Sequence, residues 1–273
     1  MHRVRRKIFL RCGEIFMPID RTAGKWYNIS REGEMKMFIN FAHRGASSYA
    51  PENTMSAFYM GLRMGANGIE TDIQRTGDGI LVLFHDDTLD RVTGQSGKIA
   101  DYTYEQLREM RVKNETSGEE DVIVRLEDFL RYFGFRDLHF AIELKEEGTE
   151  GETVSMLDAF GMKEKCVITS FHFGCIRKVK ELRPDFRVGF LADDFDDRAI
   201  SEFAEIGGEQ LCPKATRLTP EKVAAWHGMG YNVRAWGVST PELMRSAYAA
   251  GVDGMTVNFP DLLTAHLREI QEK

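Results

Sequence analysis

From residue 38 onward the chain repeats one change of rhythm: a short apolar run of strand character, then an amphipathic run of helical spacing. The strand-like runs fall at 38–42, 68–73, 138–144, 166–169, 187–191, 210–212, 232–238 and 254–257. The helix-like runs fall at 54–64, 126–133, 152–160, 173–182, 198–206, 220–229, 241–250 and 261–270. Strands that alternate with helices pair in parallel, and the helices bury both faces of the sheet. Eight such units within 273 residues predict an α/β fold closed as a (β/α)8 TIM barrel. An open, doubly wound sheet is the alternative. It calls for a Gly-rich phosphate loop after a strand, and none is present.

One connection breaks the rhythm. Residues 74–137 separate the second and third strands, too many for a simple loop. The run 80–84 reads as an extra strand that ends at His85, and Thr103-x-x-Gln106 has the form of a helix capping box. A small insertion between strand 2 and helix 2, at about 86–122, therefore lies over the strand ends, where this fold places its active site. Residues 1–36 differ from the rest. They open with Arg3, Arg5, Arg6, Lys7 and Arg11, and Gly13 and Gly24 punctuate apolar pieces at 7–10, 14–19 and 25–29. They read as a short N-terminal extension able to form a small β-meander, or as sequence upstream of a start at Met35 or Met37. A dimer or membrane contact is the functional reading of this basic segment, and a solvated surface the plainer one. Residues 37–273 form the barrel domain.

Side-chain alternation gives the charges a direction. Glu70 and Asp72 share one face of their strand, while Ile69, Thr71 and Ile73 share the other. Glu143 and Lys145 likewise oppose Phe140, Ile142 and Leu144. The apolar sets belong under the helices, which sends Glu70, Asp72, Glu143 and Lys145 into the barrel mouth. His43 and Arg44 follow the first strand, and His85 follows the extra one. Three converging carboxylates repel by about 4 kcal/mol per pair at 4 Å and an effective dielectric near 20. Lys145 and Arg44 offset part of this, and a divalent cation offsets more. An all-oxygen ligand set suits Mg²⁺ or Ca²⁺ rather than Zn²⁺. A buried ion-pair network is the structural alternative, but such networks are a poor source of stability. Two His beside a carboxylate cluster point to acid/base catalysis. The Arg44 fork matches either a carboxylate or a pair of phosphate oxygens. Glu52-Asn53-Thr54 reads as the capped start of the first helix, and Asp86 and Asp87 as caps of the insertion. Trp236 is either core or an aromatic wall for a glycerol backbone. His2, His139, His172, His227 and His266 take structural readings.

Composition closes off other classes. A net charge of −7 disfavours a nucleic-acid partner or an anionic membrane, and no apolar run approaches the length of a stable membrane span. Homo-oligomerisation stays open. Cys12, Cys166, Cys175 and Cys212 lack metal-type spacing and fit free thiols in a reducing, cytoplasmic setting.

The chain resembles the glycerophosphodiester phosphodiesterase family. The resemblance is carried by His43-Arg-Gly45, Pro51-Glu-Asn-Thr54, Ile69-Glu-Thr-Asp72, Asp78-Gly79, His85-Asp86, Leu89-x-Arg91, Ile142-Glu-Leu-Lys145, Ser170-Phe171 and Gly251-Val-Asp-Gly254. It implies metal-dependent hydrolysis of a small-molecule glycerophosphodiester to sn-glycerol 3-phosphate and an alcohol. It further implies His43 and His85 as the acid/base pair, Glu70, Asp72 and Glu143 as ligands of one divalent cation, and Arg44 and Lys145 on the phosphate. A lysophospholipase D-like relative is the alternative, and it calls for an apolar rim to which Tyr102, Tyr104, Leu107 and Met110 contribute. A non-catalytic phosphodiester-binding domain is a third reading. Two departures stand out: Asn258 replaces a frequent Asp before Phe259-Pro260, and Arg125 stands in Val124-Arg-Leu-Glu127 near the lid.

Overall fold

The computed structural model describes residues 25–29 and 35–272. Eight parallel strands close on themselves: β1 (Met35–His43), β2 (Gly68–Arg75), β3 (His139–Leu144), β4 (Cys166–Ser170), β5 (Val188–Ala192), β6 (Gln210–Pro213), β7 (Asn232–Val238) and β8 (Gly254–Val257). The ring is completed by β8 against β1, from Gly254↔Ile39 to Val257↔Ala42. One helix follows each strand and covers the outside: α1 (Met55–Arg63), α2 (Leu126–Phe133), α3 (Glu150–Ala159), α4 (Phe173–Leu182), α5 (Asp197–Glu205), α6 (Pro220–Gly228), α7 (Pro241–Ala250) and α8 (Pro260–Gln271). The barrel predicted from periodicity is the observed fold. No helix among the described residues is long and apolar enough to cross a membrane.

Local sequence explains where the helices begin. Thr54, Asp196, Thr219 and Thr240 each accept a backbone N–H of the first turn of α1, α5, α6 and α7, a cap commonly worth about 1 kcal/mol. Pro220, Pro241 and Pro260 occupy first-turn positions, where the missing N–H costs nothing. Packing then fixes the helices on the barrel. Ile69, Ile73, Phe140, Ile142, Leu144, Ile168 and Val233 all point outward into one core under the helices. Fully burying each such side chain contributes roughly 1.5–3 kcal/mol. Phe58 of α1 meets Phe129 and Phe133 of α2 edge-on, at centroid distances of 4.8 and 5.9 Å.

The opposite parity lines the lumen, and its floor is polar. Arg234 of β7 is buried, donates to Gln210 of β6 at 3.1 Å and to Thr256 of β8 at 2.5 Å, and lies 5.4 Å from the ring centre of Phe41 in β1. Above it, β7 carries a bulge between Ala235 and Val238 with Gly237 at φ +68°. Bulges of this kind re-aim side chains at barrel rims.

The insertion is a unit of its own. Leu81–Leu83 pairs antiparallel with Ile73–Arg75 of β2 and so lies outside the barrel ring. Short helices Asp90–Thr93 and Tyr104–Leu107 and the hairpin Val112–Lys113 with Glu120–Asp121 complete it around Val82, Phe84, Leu89, Val92, Ile99, Leu107, Val112 and Ile123. Thr103 and Gln106 exchange the predicted capping-box bonds. The insertion docks on the β1–α1 loop: Asn114 donates to the carbonyls of Ser47 and Ala50, and Asp121 accepts from the Ser56 amide. At the chain start, Trp26–Ile29 pairs antiparallel with β1, and the buried Trp26 indole donates to the Gly65 carbonyl at 3.1 Å. The predicted pieces at 7–10 and 14–19 lie outside the described residues.

The turn after β1 leaves no room for a side chain. Gly45 sits at φ +83°, and a Cβ there would lie 2.4 Å from the Ala57 backbone carbon of α1. Strain in the left-handed region alone costs about 1–3 kcal/mol. Gly45→Ala should therefore lower the melting temperature by about 5–10 °C. An unchanged melting curve would show that the turn relaxes without cost.

Candidate active site

Strand register brings the charged residues together. His43 is the β-ladder neighbour of Glu70, and Asp72 is the neighbour of Glu143. One oxygen from each of Glu70, Asp72 and Glu143 falls within 4.8 Å of the others, and all three residues are buried. Arg44 Nε lies 3.3 Å from Asp72, and Lys145 Nζ lies 2.7 Å from Glu143 and 3.7 Å from Asp72. Three carboxylates thus face two cations. Burial, reinforced by Asp72 and Glu143, pushes Glu70 well above the usual carboxylate range. Burial and Asp72 also raise Glu143. For Asp72 burial acts upward too, but Arg44, His85, Lys145 and the Asn53 hydrogen bond outweigh it and hold the carboxyl at about 2.

The loop after β1 is shaped around this cluster. Arg44 takes a left-handed conformation at φ +55°, and so does Asn53 at φ +56°. Asn tolerates that region, but Arg seldom adopts it, and such outliers gather at functional sites. The compensation is visible in hydrogen bonds. The Arg44 amide donates to the Glu70 carbonyl at 3.0 Å and to its carboxylate at 3.1 Å, and the Asn53 amide donates to the Arg44 carbonyl at 2.9 Å. The Asn53 side chain donates to Asp72 at 2.8 Å and accepts from Thr71 at 2.7 Å. Asn53 is therefore part of the site as well as part of the helix start.

Both His rings are oriented through Nδ1. His43 Nδ1 meets Asn258 Oδ1 at 2.5 Å, which turns Nε2 toward Glu70 at 3.9 Å. Burial, then Arg44, pushes His43 down to about 3. His85 Nδ1 donates to Asp86 Oδ1 at 2.7 Å. Sequence reasoning missed these two partners. The sequence marks Asn258 only as a departure from the family pattern and Asp86 as a cap, yet each fixes an imidazole. It also missed Glu52, which pairs with Arg44 at 3.0 Å. The available signal was the place of Glu52 within Pro51-Glu-Asn-Thr54, one of the stretches that carry the resemblance.

Trp236 stands at the mouth, aimed by the β7 bulge. Its indole donates to the Ala192 carbonyl at 3.0 Å, Phe171 packs edge-on at 4.8 Å, and Lys214 Nζ lies 5.2 Å above the ring. Arg125 is engaged elsewhere, paired with Asp128 at 2.7 Å and set 5.3 Å from the Tyr104 ring centre. Of the His read as structural, His227 pairs with Asp253 at 2.8 Å and His266 packs edge-on against Tyr248.

Comparison with known proteins places the chain in a family and matches its fold. The sequence matches the model of the glycerophosphoryl diester phosphodiesterase family over residues 43–262. A glycerophosphodiester phosphodiesterase of Caldanaerobacter subterraneus is 30% identical over 244 residues, covering 86% of this chain and 99% of that protein. A glycerophosphodiester phosphodiesterase of Agrobacterium tumefaciens has the same fold, with a TM-score of 0.72 at 24% identity over 82% of this chain and 97% of its own. An Oleispira antarctica phosphodiesterase, solved in complex with the product sn-glycerol-3-phosphate, superimposes with a TM-score of 0.74 at 25% identity, covering 84% of this chain and 96% of its own.

The acidic cluster has the makings of a cation site. Asp72 Oδ1 is buried and has no hydrogen-bond partner among the described residues. Such an orphaned acceptor is costly unless something fills its coordination. The donors are all carboxylate oxygens, the set a hard divalent ion prefers. A proton and a cation held there would compete for the same oxygens of Glu70, whose carboxyl is held high by burial. Lowering the pH would put a proton on Glu70 and weaken a cation bound there. Titration of Mg²⁺ or Ca²⁺ by calorimetry at several pH values between about 5 and 8 should show affinity rising with pH, with proton release on binding. An affinity independent of pH would contradict this competition.

Proposed function

The chain belongs to the glycerophosphoryl diester phosphodiesterase family, and we propose that it hydrolyses small, water-soluble glycerophosphodiesters to sn-glycerol 3-phosphate and an alcohol, with one divalent cation bound. One observation carries this reading. Two oriented imidazoles, three carboxylates and two cations converge at a single barrel mouth.

Glu70, Asp72 and Glu143 would hold Mg²⁺ or Ca²⁺. A bound cation would neutralise charge on the phosphoryl oxygens and polarise the phosphorus centre. Arg44 and Lys145 hold the non-bridging oxygens and stabilise the charge that builds on them. His43 has Nδ1–H committed to Asn258 and its lone pair on Nε2, so it takes the proton of the attacking oxygen as the new P–O bond forms. The attacking oxygen is that of water or of the glycerol 2-hydroxyl. The donor role is left to His85, which gives its proton to the leaving alcohol oxygen as the old P–O bond breaks. Trp236, with Phe171 against it, forms an aromatic wall for the glycerol backbone.

The insertion supports a soluble substrate over a lysolipid. Leu107 is buried, and Tyr102, Tyr104 and Met110 pack against the insertion's own core, so the apolar rim that the lysolipid alternative requires is turned inward. None of the large hydrophobic residues exposed among the described residues belongs to the insertion.

Release of sn-glycerol 3-phosphate from glycerophosphocholine and glycerophosphoethanolamine should stop with EDTA and return with Mg²⁺ or Ca²⁺. Failure on both compounds, with turnover of lysophosphatidylcholine instead, would reverse the choice of substrate. His43→Ala and His85→Ala should each lower kcat by about 10²–10⁴ while the circular dichroism spectrum stays unchanged. Near-normal turnover in either variant would sink that residue's proton-transfer role.

A further inference from the structure

Leu89-x-Arg91 belongs to the sequence resemblance but has no role in the chemistry above. Arg91 lies on the short insertion helix Asp90–Thr93, whose neighbours Leu89 and Val92 are buried in the insertion core. The helix is locked there, since the Thr93 hydroxyl donates to the Leu89 carbonyl at 2.7 Å. The Arg91 guanidinium points the other way, half-exposed, to the mouth. Its Nε and Nη2 donate to Asp86 Oδ2 and Oδ1 at 2.5 and 3.0 Å. Its Nη1 and Nη2 donate to Glu52 Oε2 and Oε1 at 2.9 and 2.6 Å. Every carboxylate oxygen of both acids is thus bound by one planar fork.

Each of these acids holds a different arm of the active site. Asp86 accepts from His85 Nδ1, and Glu52 accepts from Arg44 Nη1 at 3.0 Å. We infer that Arg91 is a positioning residue that sets the proton-donating His85 and the phosphate-holding Arg44 in register, tying both to the insertion. The inference rests on the phosphodiesterase reading for its kinetic consequence only. The physical reasons are geometric. Two carboxylates brought to one place repel unless a cation lies between them, and a planar guanidinium, with five donors in a fixed fork, can bind all four of their oxygens at once where an ammonium has only three donors. Without Arg91, Asp86 loses the two bonds that fix its plane, and the His85 ring loses its fixed orientation. Glu52 keeps only its bond to Arg44, and Arg44, already in a left-handed conformation, is left with a less firmly anchored partner. Hinging both arms on a locked insertion helix gives the rigid support that precise catalytic geometry needs.

The test is chemical rescue. Arg91→Ala should fold with a normal near-ultraviolet circular dichroism spectrum and lose about 10–100-fold in kcat/KM, the usual cost of removing a partner that orients a reacting group. The fall should appear in kcat through His85 and in KM through Arg44. Added methylguanidinium should restore part of the activity of Arg91→Ala. Arg91→Lys should stay impaired, because a point charge cannot bridge the four oxygens. Activity of Arg91→Ala near the wild-type level, or a loss that methylguanidinium does not relieve while Arg91→Lys is fully active, would overturn the inference. A readout independent of turnover separates this from failure of the proposed function. The Nδ1–H proton resonance of His85, identified by its absence in His85→Gln, should be visible in the wild-type protein, vanish in Arg91→Ala and return with methylguanidinium. If no glycerophosphodiester is turned over by the wild type, this resonance alone decides: its persistence in Arg91→Ala would overturn the positioning role.

Discussion

Two carboxylates from β2 and one from β3 meet at the top of a closed barrel, and the rest of the site is arranged around their mutual repulsion. At an effective dielectric near 20, each close pair is opposed by about 4 kcal/mol, a large part of the stability of a whole domain. The barrel holds them together because their outward neighbours, Ile69, Ile73, Ile142 and Leu144, are fixed under the helices. A one-residue slip in either strand would exchange the two sets, so the apolar core enforces the position of the charges. Arg44 and Lys145 answer part of the repulsion directly. Asn53 adds a donor to Asp72, and Arg234 in the lumen floor favours the charged form of Glu70 from below. What remains is a buried oxygen of Asp72 with no hydrogen-bond partner among the described residues and only Lys145 Nζ at 3.7 Å, the part a divalent cation would satisfy.

The same logic extends outward in layers. The acidic cluster holds Arg44, Glu52 holds Arg44 from the other side, and Arg91 holds Glu52 and Asp86 together. Asp86 and Asn258 in turn fix the two imidazoles. The outer members come from the insertion and from the loops after β1 and β8, whereas the carboxylates come from strands. Chemistry that must tolerate no displacement is thus placed on the stiffest elements, and loops supply the parts that orient it.

Much of this was legible in the sequence because it depends on period. Eight apolar runs alternating with amphipathic ones leave few topologies, and the two-residue spacing of Glu70 with Asp72 and of Glu143 with Lys145 fixes which face each takes. The capping box at Thr103 is equally local. What could not be read depends on contacts between distant residues. Asn258 reaches His43 across 215 positions, and Arg91 reaches Glu52 across 39. No periodicity reports such a pair. Glu52 and Asn53 carried a plausible local explanation as a helix start, which concealed their second role. The run 80–84 reads as a strand in either case, and only the pairing shows that Leu81–Leu83 runs antiparallel outside the ring.

Two acidic groups could hold an ion, and we propose that it is the cluster of Glu70, Asp72 and Glu143, not the group of Glu52, His85 and Asp86. A crystal grown with Mn²⁺ and measured at the manganese edge addresses it directly. One anomalous peak is expected at about 2–2.5 Å from oxygens of Glu70, Asp72 and Glu143, with Arg91 still bridging Glu52 and Asp86. A peak between Glu52, His85 and Asp86, with the strand carboxylates unligated, would contradict it.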